Sequence, residues 1–187
     1  MSGLTLSQWE TTVHACTRCS LHRTRTNAVT CSGPTPAPLF FLGEAPGQEE
    51  DLTGSPFKGR SGQLLDTCLV KAGTVRDVVH VGNAVRCRPP GNRPPQPEEL
   101  SACATHLEAE LELVQPLVIV TLGASALRTL GLLEQRTTLT SVRGSLLMYQ
   151  DRVVLPTVHP AYVLRNRPKH EPAFIEDLMQ AVRIAGL

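Results

Sequence analysis

Residues able to do chemistry fall at four places in this chain. The densest is Gly43-Glu44-Ala45-Pro46-Gly47-Gln48-Glu49-Glu50-Asp51, which runs on through Gly54-Ser55-Pro56-Phe57-Lys58-Gly59-Arg60-Ser61-Gly62. Its five glycines let the backbone come close to a ligand, and Glu49, Glu50 and Asp51 crowd its middle. Composition alone equally suits a Gly/Pro-rich surface loop. The second place is Asn83, whose amide offers one donor group and one acceptor. The third is His159 in His159-Pro160-Ala161-Tyr162-Val163-Leu164-Arg165, and the fourth is a set of cysteines at 16, 19, 31, 68, 87 and 103.

The elements that must position these residues can be read from apolar runs. Leu39–Leu42, Val78–Val85, Leu117–Leu122 and Val153–Val158 have the character of buried strands. Pro156 in the last of these suggests an edge position or a bulge, and Ser145–Tyr149 is a further short candidate. Helices are expected over Leu4–Ala15, from about Gly62 to Gly73, and from about Pro97, where Glu98 and Glu99 suit the positive helix start. Leu100, Ala104, Leu107, Leu111 and Val114 give that helix a buried face, and Ile175, Leu178, Met179 and Val182 do the same for the last one. Four strands alternating with helices define an α/β protein with a mostly parallel sheet covered on both faces, and the length fits one domain, or one domain with a small appendage. Glu44, Asn83 and His159 then follow strands one, two and four. Such strand ends converge on one crevice, and that convergence argues against a plain surface loop.

The Cys16-x2-Cys19 pair suits one metal centre. Cys68 falls at the apolar spacing of its helix and reads as a small core residue. Cys87 and Cys103 flank a proline-rich loop in a basic setting, so Cys16, Cys19, Cys87 and Cys103 form a candidate four-thiolate site. A zinc ribbon would carry a second tight pair, which is missing here. An iron–sulfur cubane tolerates the wider spacing, and spacing alone leaves both metals open.

Of the 187 residues, 41% are apolar, and the formal net charge is +1. That does not suggest a generally basic nucleic-acid binder. Arginines nonetheless cluster at 18, 23 and 25, at 86, 88 and 93, and at 165 and 167, and local basic patches can track phosphates. No run has the length of a membrane span, and the N-terminus lacks the apolar core of a signal peptide, so the expected setting is the cytoplasm, with reduced thiols.

Taken together, Gly-Glu-Ala-Pro-Gly at 43–47, Glu-Asp at 50–51, Gly-x-Pro-Phe-x-Gly-Arg-x-Gly at 54–62, Asn83, Cys87-Arg-Pro-Pro with Asn92-Arg93, and His159-Pro-Ala-Tyr-x-Leu-Arg165 resemble the family 4 uracil-DNA glycosylases, the iron–sulfur branch of that superfamily. The resemblance covers nearly the whole chain and implies one domain over residues 1–187, a three-layer α/β/α sandwich around a four-stranded parallel sheet. It implies excision of uracil from double- or single-stranded DNA in bacterial or archaeal base excision repair. It also implies a 4Fe-4S cluster on Cys16, Cys19, Cys87 and Cys103, which would staple the loop between Cys87 and Cys103. A monomer is expected. Where the best-known branch of that superfamily has a water-positioning aspartate, this chain has Ala45, in keeping with the small residues of the family 4 pattern it resembles. No basic, histidine-bearing insertion follows Asn83, so covalent trapping is not expected.

The roles the resemblance implies are specific. Phe57, one of only seven aromatics, would stack on the flipped base. Asn83 would read uracil N3–H and O4, and His159 would donate to O2 as it gains negative charge. The backbone at Glu44 and Ala45 would hold the water and the uracil edge. Glu44 or Glu50 would stabilise the sugar cation or orient the water, Glu50 would crowd C5 against thymine, and Gly47 would leave that region open. Arg165, Tyr162 or Leu164 would wedge the duplex or touch phosphate, and Arg88 and Arg93 would face phosphates. Two other functions stay open: a metal-stapled, non-catalytic DNA-damage binder, and a nucleotide-phosphate hydrolase holding magnesium on Glu49, Glu50 and Asp51.

Overall fold

A computed structural model describes residues 3–134 and 136–187. Helix α1 (Leu6–His14) starts at Thr5, which is locked reciprocally with Gln8: the Thr5 hydroxyl accepts from the Gln8 N–H, and Gln8 Oε1 accepts from the Thr5 N–H at 2.9 Å. Strand β1 (Leu39–Gly43) is buried at every residue. Helix α2 (Gln48–Thr53) follows inside the stretch read as loop, and α3 is Arg60–Lys71. Strand β2 is His80–Asn83, shorter than the apolar run that predicts it, because Arg76–Val78 turns as a 3-10 helix. Helix α4 (Pro97–Val114) is capped by Glu99, whose carboxylate accepts from the Gln96 N–H at 2.8 Å. Then come β3 (Val118–Leu122), α5 (Ala124–Thr129), α6 (Leu139–Val142), β4 (Leu147–Tyr149), β5 (Arg152–Thr157), α7 (Pro160–Arg165) and α8 (Arg167–Ala185).

The strands order as β2-β1-β3-β5-β4. The four expected strands are parallel to one another. The expectation of a four-stranded, purely parallel sheet needs correction, because β4 pairs antiparallel with β5 through Leu147–Val154 and Tyr149–Arg152. The cause is local. Gln150-Asp151 closes a two-residue hairpin with Gln150 at φ 54°, and an antiparallel neighbour needs no crossover. Pro156 pairs with Thr121 on one side and lies past the end of β4 on the other, so its missing N–H costs no ladder bond.

Alternation along the strands divides the core into two layers. Leu39, Phe41, Val118, Val120 and Leu155 pack with Leu65 and Leu69 of α3 and Phe174 and Leu178 of α8. Phe40, Leu42, Ile119 and Val154 face the other way, onto Leu107 and Leu111 of α4 and Leu127 of α5. Trp9 and Val13 fasten α1 beside Ala109 and Leu113 of α4. Among the described residues, no helix is long and apolar enough to cross a membrane.

Candidate active site and cysteine cavity

The parallel register sets the carboxyl ends of β1 and β2 side by side, with Gly43 opposite Asn83. Pairing continues past the strands, since the Ala84 N–H donates to the Gly43 carbonyl and the Val85 N–H to that of Glu44. Gly43 has to lack a side chain: a Cβ there would lie 2.3 Å from Asn83 Oδ1 and 2.7 Å from Phe57 Cζ. Gly43→Ala should therefore displace both residues and cost about 1–3 kcal/mol of stability through overpacking. Urea denaturation checks the stability, and a rise in KM for the substrate checks the displacement.

Phe57 is buried and held at φ 56°, a left-handed conformation that is costly for a bulky side chain. Its neighbours enforce it. Gly62 packs so closely on the Phe57 carbonyl that a Cβ would fall 1.7 Å from the oxygen. Arg76 donates to the Pro56 carbonyl at 3.0 Å and lies 5.9 Å from the Phe57 ring centre. Asp66 in turn accepts from Arg76 at 3.0 Å. Neither the sequence run around Arg76 nor its spacing marks it as part of the site.

His159 lies two residues beyond β5 and caps α7, where its Nδ1 accepts from the Ala161 N–H at 3.1 Å. That bond leaves Nε2 as the nitrogen that carries the proton of a neutral ring. Burial pushes the imidazole down to about 4, against a smaller opposing effect of Glu50. The His159 and Phe57 rings lie 6.3 Å apart between centres.

Together these residues border a cavity of about 480 Å³. Glu44, Ala45, Gly47, Glu50, Phe57, Asn83, Arg93, His159, Tyr162 and Arg165 all line it, joined by Ser61 and Asn92. Arg88 and Leu164 do not: Leu164 packs against the core under α7, and Arg88 is bonded to Asn92 Oδ1 at 2.6 Å. The Asn83 amide makes no hydrogen bond among the described residues, although the residue is 3% exposed. Tyr162 and Arg165 stand exposed at the rim, with Tyr162 stacked 4.5 Å from His170.

Several charged residues have other partners. Glu50 accepts from the Gly47 N–H at 3.0 Å and from the N–H groups of Lys58 and Gly59 at 2.8 Å, so its carboxylate ties the two ends of the loop together. Asp51 is buried and accepts from the N–H groups of Thr26 and Asn27. Glu49, Glu50 and Asp51 therefore do not converge on one ion, contrary to the magnesium reading. Arg93 forms a two-pronged pair with buried Glu99 at 2.6 and 2.8 Å, which neutralises much of the charge expected to face phosphate. Arg86, grouped by sequence with a surface patch, is 1% exposed. It donates to Glu110 Oε2 at 2.5 Å, while His80 bonds Glu110 Oε1 at 3.1 Å.

The four candidate cysteines meet at a second cavity, which Arg18, Arg25, Arg86 and His106 also line. Arg25 donates to Cys87 Sγ at 3.1 Å, and Arg18 approaches Cys16 Sγ at 3.5 Å. Burial pushes Cys87 up to about 11 and also raises Cys103. At Cys16 burial acts in the same sense, but hydrogen bonding and charge from Arg18 outweigh it and leave the thiol lowered. Cys68 is buried in α3, as its spacing predicts, and Cys31 lies beside His80 and Glu110. That trio is the only group of three or more His, Cys, Asp or Glu ligand atoms within 4.8 Å of one another among the described residues. The four thiols are thus spread more widely than the roughly 3.8 Å separations that tetrahedral zinc with ~2.3 Å bonds would require.

A partly polar cleft at the carboxyl ends of the parallel strands is the usual ligand-binding place of an open α/β sheet. A sequence model of the Uracil DNA glycosylase superfamily matches residues 32–183. The type-4 uracil-DNA glycosylase of Thermotoga maritima is 44% identical over 171 residues, covering 90% of this chain and 88% of its own. That of Archaeoglobus fulgidus is 38% identical over 180 residues, covering 93% and 90%. A type-5 uracil-DNA glycosylase from Thermus thermophilus is 39% identical over 113 residues, about half of each chain. The chain belongs to the uracil-DNA glycosylase superfamily, within its type-4 family.

Proposed function

We propose that this protein is a DNA glycosylase that hydrolyses the N-glycosidic bond of uracil and leaves an abasic site. The observation that carries the reading is one cavity holding an unbonded Asn83 amide, the Phe57 ring and a His159 whose Nδ1 is already an acceptor. Uracil must leave the base stack to reach such a cavity, at a cost of a few kcal/mol. Stacking on Phe57 returns about 1–3 kcal/mol. Asn83 Oδ1 accepts from uracil N3–H, and its Nδ2 donates to O4. As the bond to the sugar breaks, negative charge gathers on O2, where His159 Nε2–H donates. Glu44, at the strand end beside Ala45, is the carboxylate left free to orient water or face the sugar cation. Glu50 shapes the loop around the base through its three backbone bonds. Arg165 and Tyr162, at the rim, meet the DNA backbone or enter the stack.

We also assign the cysteine cavity to a 4Fe-4S cluster held by Cys16, Cys19, Cys87 and Cys103. The wide thiol spacing and the surrounding Arg18, Arg25 and Arg86 support it, because thiolate-ligated clusters carry net negative charge. When bound, the cluster supplies a cross-link rather than reaction chemistry. It joins the segment after α1 to both sides of the loop that carries Arg88, Asn92 and Arg93. Cys103→Ala should lose iron and inorganic sulfide together, measured on anaerobically purified protein.

The direct test uses an end-labelled oligonucleotide with one uracil, as U:G duplex and as single strand, followed by hot alkali. Cleavage at the uracil supports the glycosylase. Binding without cleavage by iron-loaded protein would support a damage-binding module instead.

A pH dependence follows from His159. The folded protein keeps this ring neutral down to about 4, whereas an unfolded chain protonates it near 6.5. Between those values the folded state binds fewer protons, so its stability is complete above about 6.5 and falls as pH drops toward about 4. The single-turnover rate should accordingly show no imidazole limb near 6.5. A limb centred there in the pH–rate profile, absent from a His159 variant, would contradict the neutral-donor role.

A further inference from the structure

Among the described residues, three buried side-chain polar atoms have no hydrogen-bond partner: Arg86 Nε, His106 Nε2 and Thr121 Oγ1. Folded proteins leave few such atoms unpaired. Two of the three belong to residues that line the cysteine cavity, and those residues are 1% and 4% exposed. Arg86 is fixed by its other nitrogens. Nη1 donates to the Thr30 carbonyl at 3.3 Å and Nη2 to Glu110, and the guanidinium packs 5.1 Å from the Trp9 ring centre. His106 follows Cys103 by one helical turn on α4, so the two side chains share a face. Its carbonyl is fixed by the Trp9 indole N–H at 3.0 Å.

We propose that His106 Nε2–H and Arg86 Nε–H donate hydrogen bonds to sulfur atoms of the cluster held by Cys16, Cys19, Cys87 and Cys103. The inference rests on the cluster assignment made above. Thiolate and sulfide sulfurs are acceptors only, which puts the His106 proton on Nε2 and gives both orphaned donors a partner. Each N–H···S bond withdraws electron density from the cluster and favours its reduced state.

The test begins with iron and sulfide content of the purified protein. Their absence would overturn both the cluster assignment and this inference. With the cluster present and brought to a paramagnetic state, pulsed electron paramagnetic resonance on protein labelled with 15N-histidine should show a coupling to one imidazole nitrogen. His106→Phe should abolish it. A second sample labelled with 15N-arginine reports Arg86 without substituting a residue on which the Glu110 pair depends. The midpoint potential of His106→Phe should shift to more negative values, and His106→Gln, which keeps a donor, should recover part of the shift. A loaded cluster that shows no nitrogen coupling, and whose potential is the same in wild type and His106→Phe, would overturn the inference alone.

Discussion

Replacing His159 with alanine should slow uracil release by about 100- to 1000-fold in single turnover, with DNA affinity little changed. That is the usual consequence of removing one preorganised donor to a developing oxyanion. The geometry gives the reason for the separation between rate and affinity. Nδ1 is committed to the Ala161 N–H at 3.1 Å, so the ring cannot rotate to offer a different atom. Its Nε2–H meets a carbonyl oxygen in the bound substrate but an oxyanion in the transition state, and only the second contact strengthens. The effect should therefore fall on kcat and leave KM near its original value. Burial that holds the ring neutral supplies the donor without the desolvation cost of a cation. Rapid-quench measurements on a U:G duplex, with iron content as the control for folding, decide the matter. A loss under tenfold, or one confined to KM, would remove His159 from the reaction.

The second large effect is expected at Asn83. Asn83→Asp should lower activity on uracil by about 10- to 100-fold, because a carboxylate facing O4 replaces a donor and leaves mismatched buried groups at about 1–3 kcal/mol each. Cytosine presents the reverse pattern, an acceptor at N3 and a donor at N4. The variant should thus narrow the gap between uracil and cytosine substrates. The wild-type amide lines the cavity and makes no bond within the described chain, so both its donor and its acceptor are available to a base seated there. Competition between U- and C-containing oligonucleotides measures the ratio. Unchanged rates and unchanged selectivity would show that the base is read elsewhere.

The residues at strand ends were legible because burial leaves a plain mark. Leu39–Leu42, Leu117–Leu122 and Val153–Val158 are apolar runs bounded by turn formers, and Glu44 and His159 follow two of them. Helix α2 was harder to see. Its glycine-flanked, acidic composition reads as loop, yet three acids in the first turn and Gly54 at φ 73° are ordinary helix punctuation. The partners of charged residues were not legible at all. Arg86 with Glu110, and Arg93 with Glu99, pair across the fold, and nothing in local sequence separates a buried ion pair from two solvated charges. For that reason Arg93 and Arg86 read as phosphate-tracking side chains, when one is largely neutralised and the other lies inside. Glu50 shows the same limit in reverse: its carboxylate is occupied by three N–H groups that come from both ends of its own loop.

The two outer strands carry a consequence for the protein in crowded solution. An open sheet presents unpaired amides at each border, and a long, flat border recruits another chain. Here β4 is three residues long and β2 is four, and the outer side of β2 is already bridged by Ser32, which exchanges both backbone bonds with Val81 at 2.8 and 3.0 Å. The central strands, the most apolar segments of the chain, lie between them and reach no border. Self-association through strand addition therefore has little to build on at either side, and the strongly apolar central strands stay out of reach of a second chain.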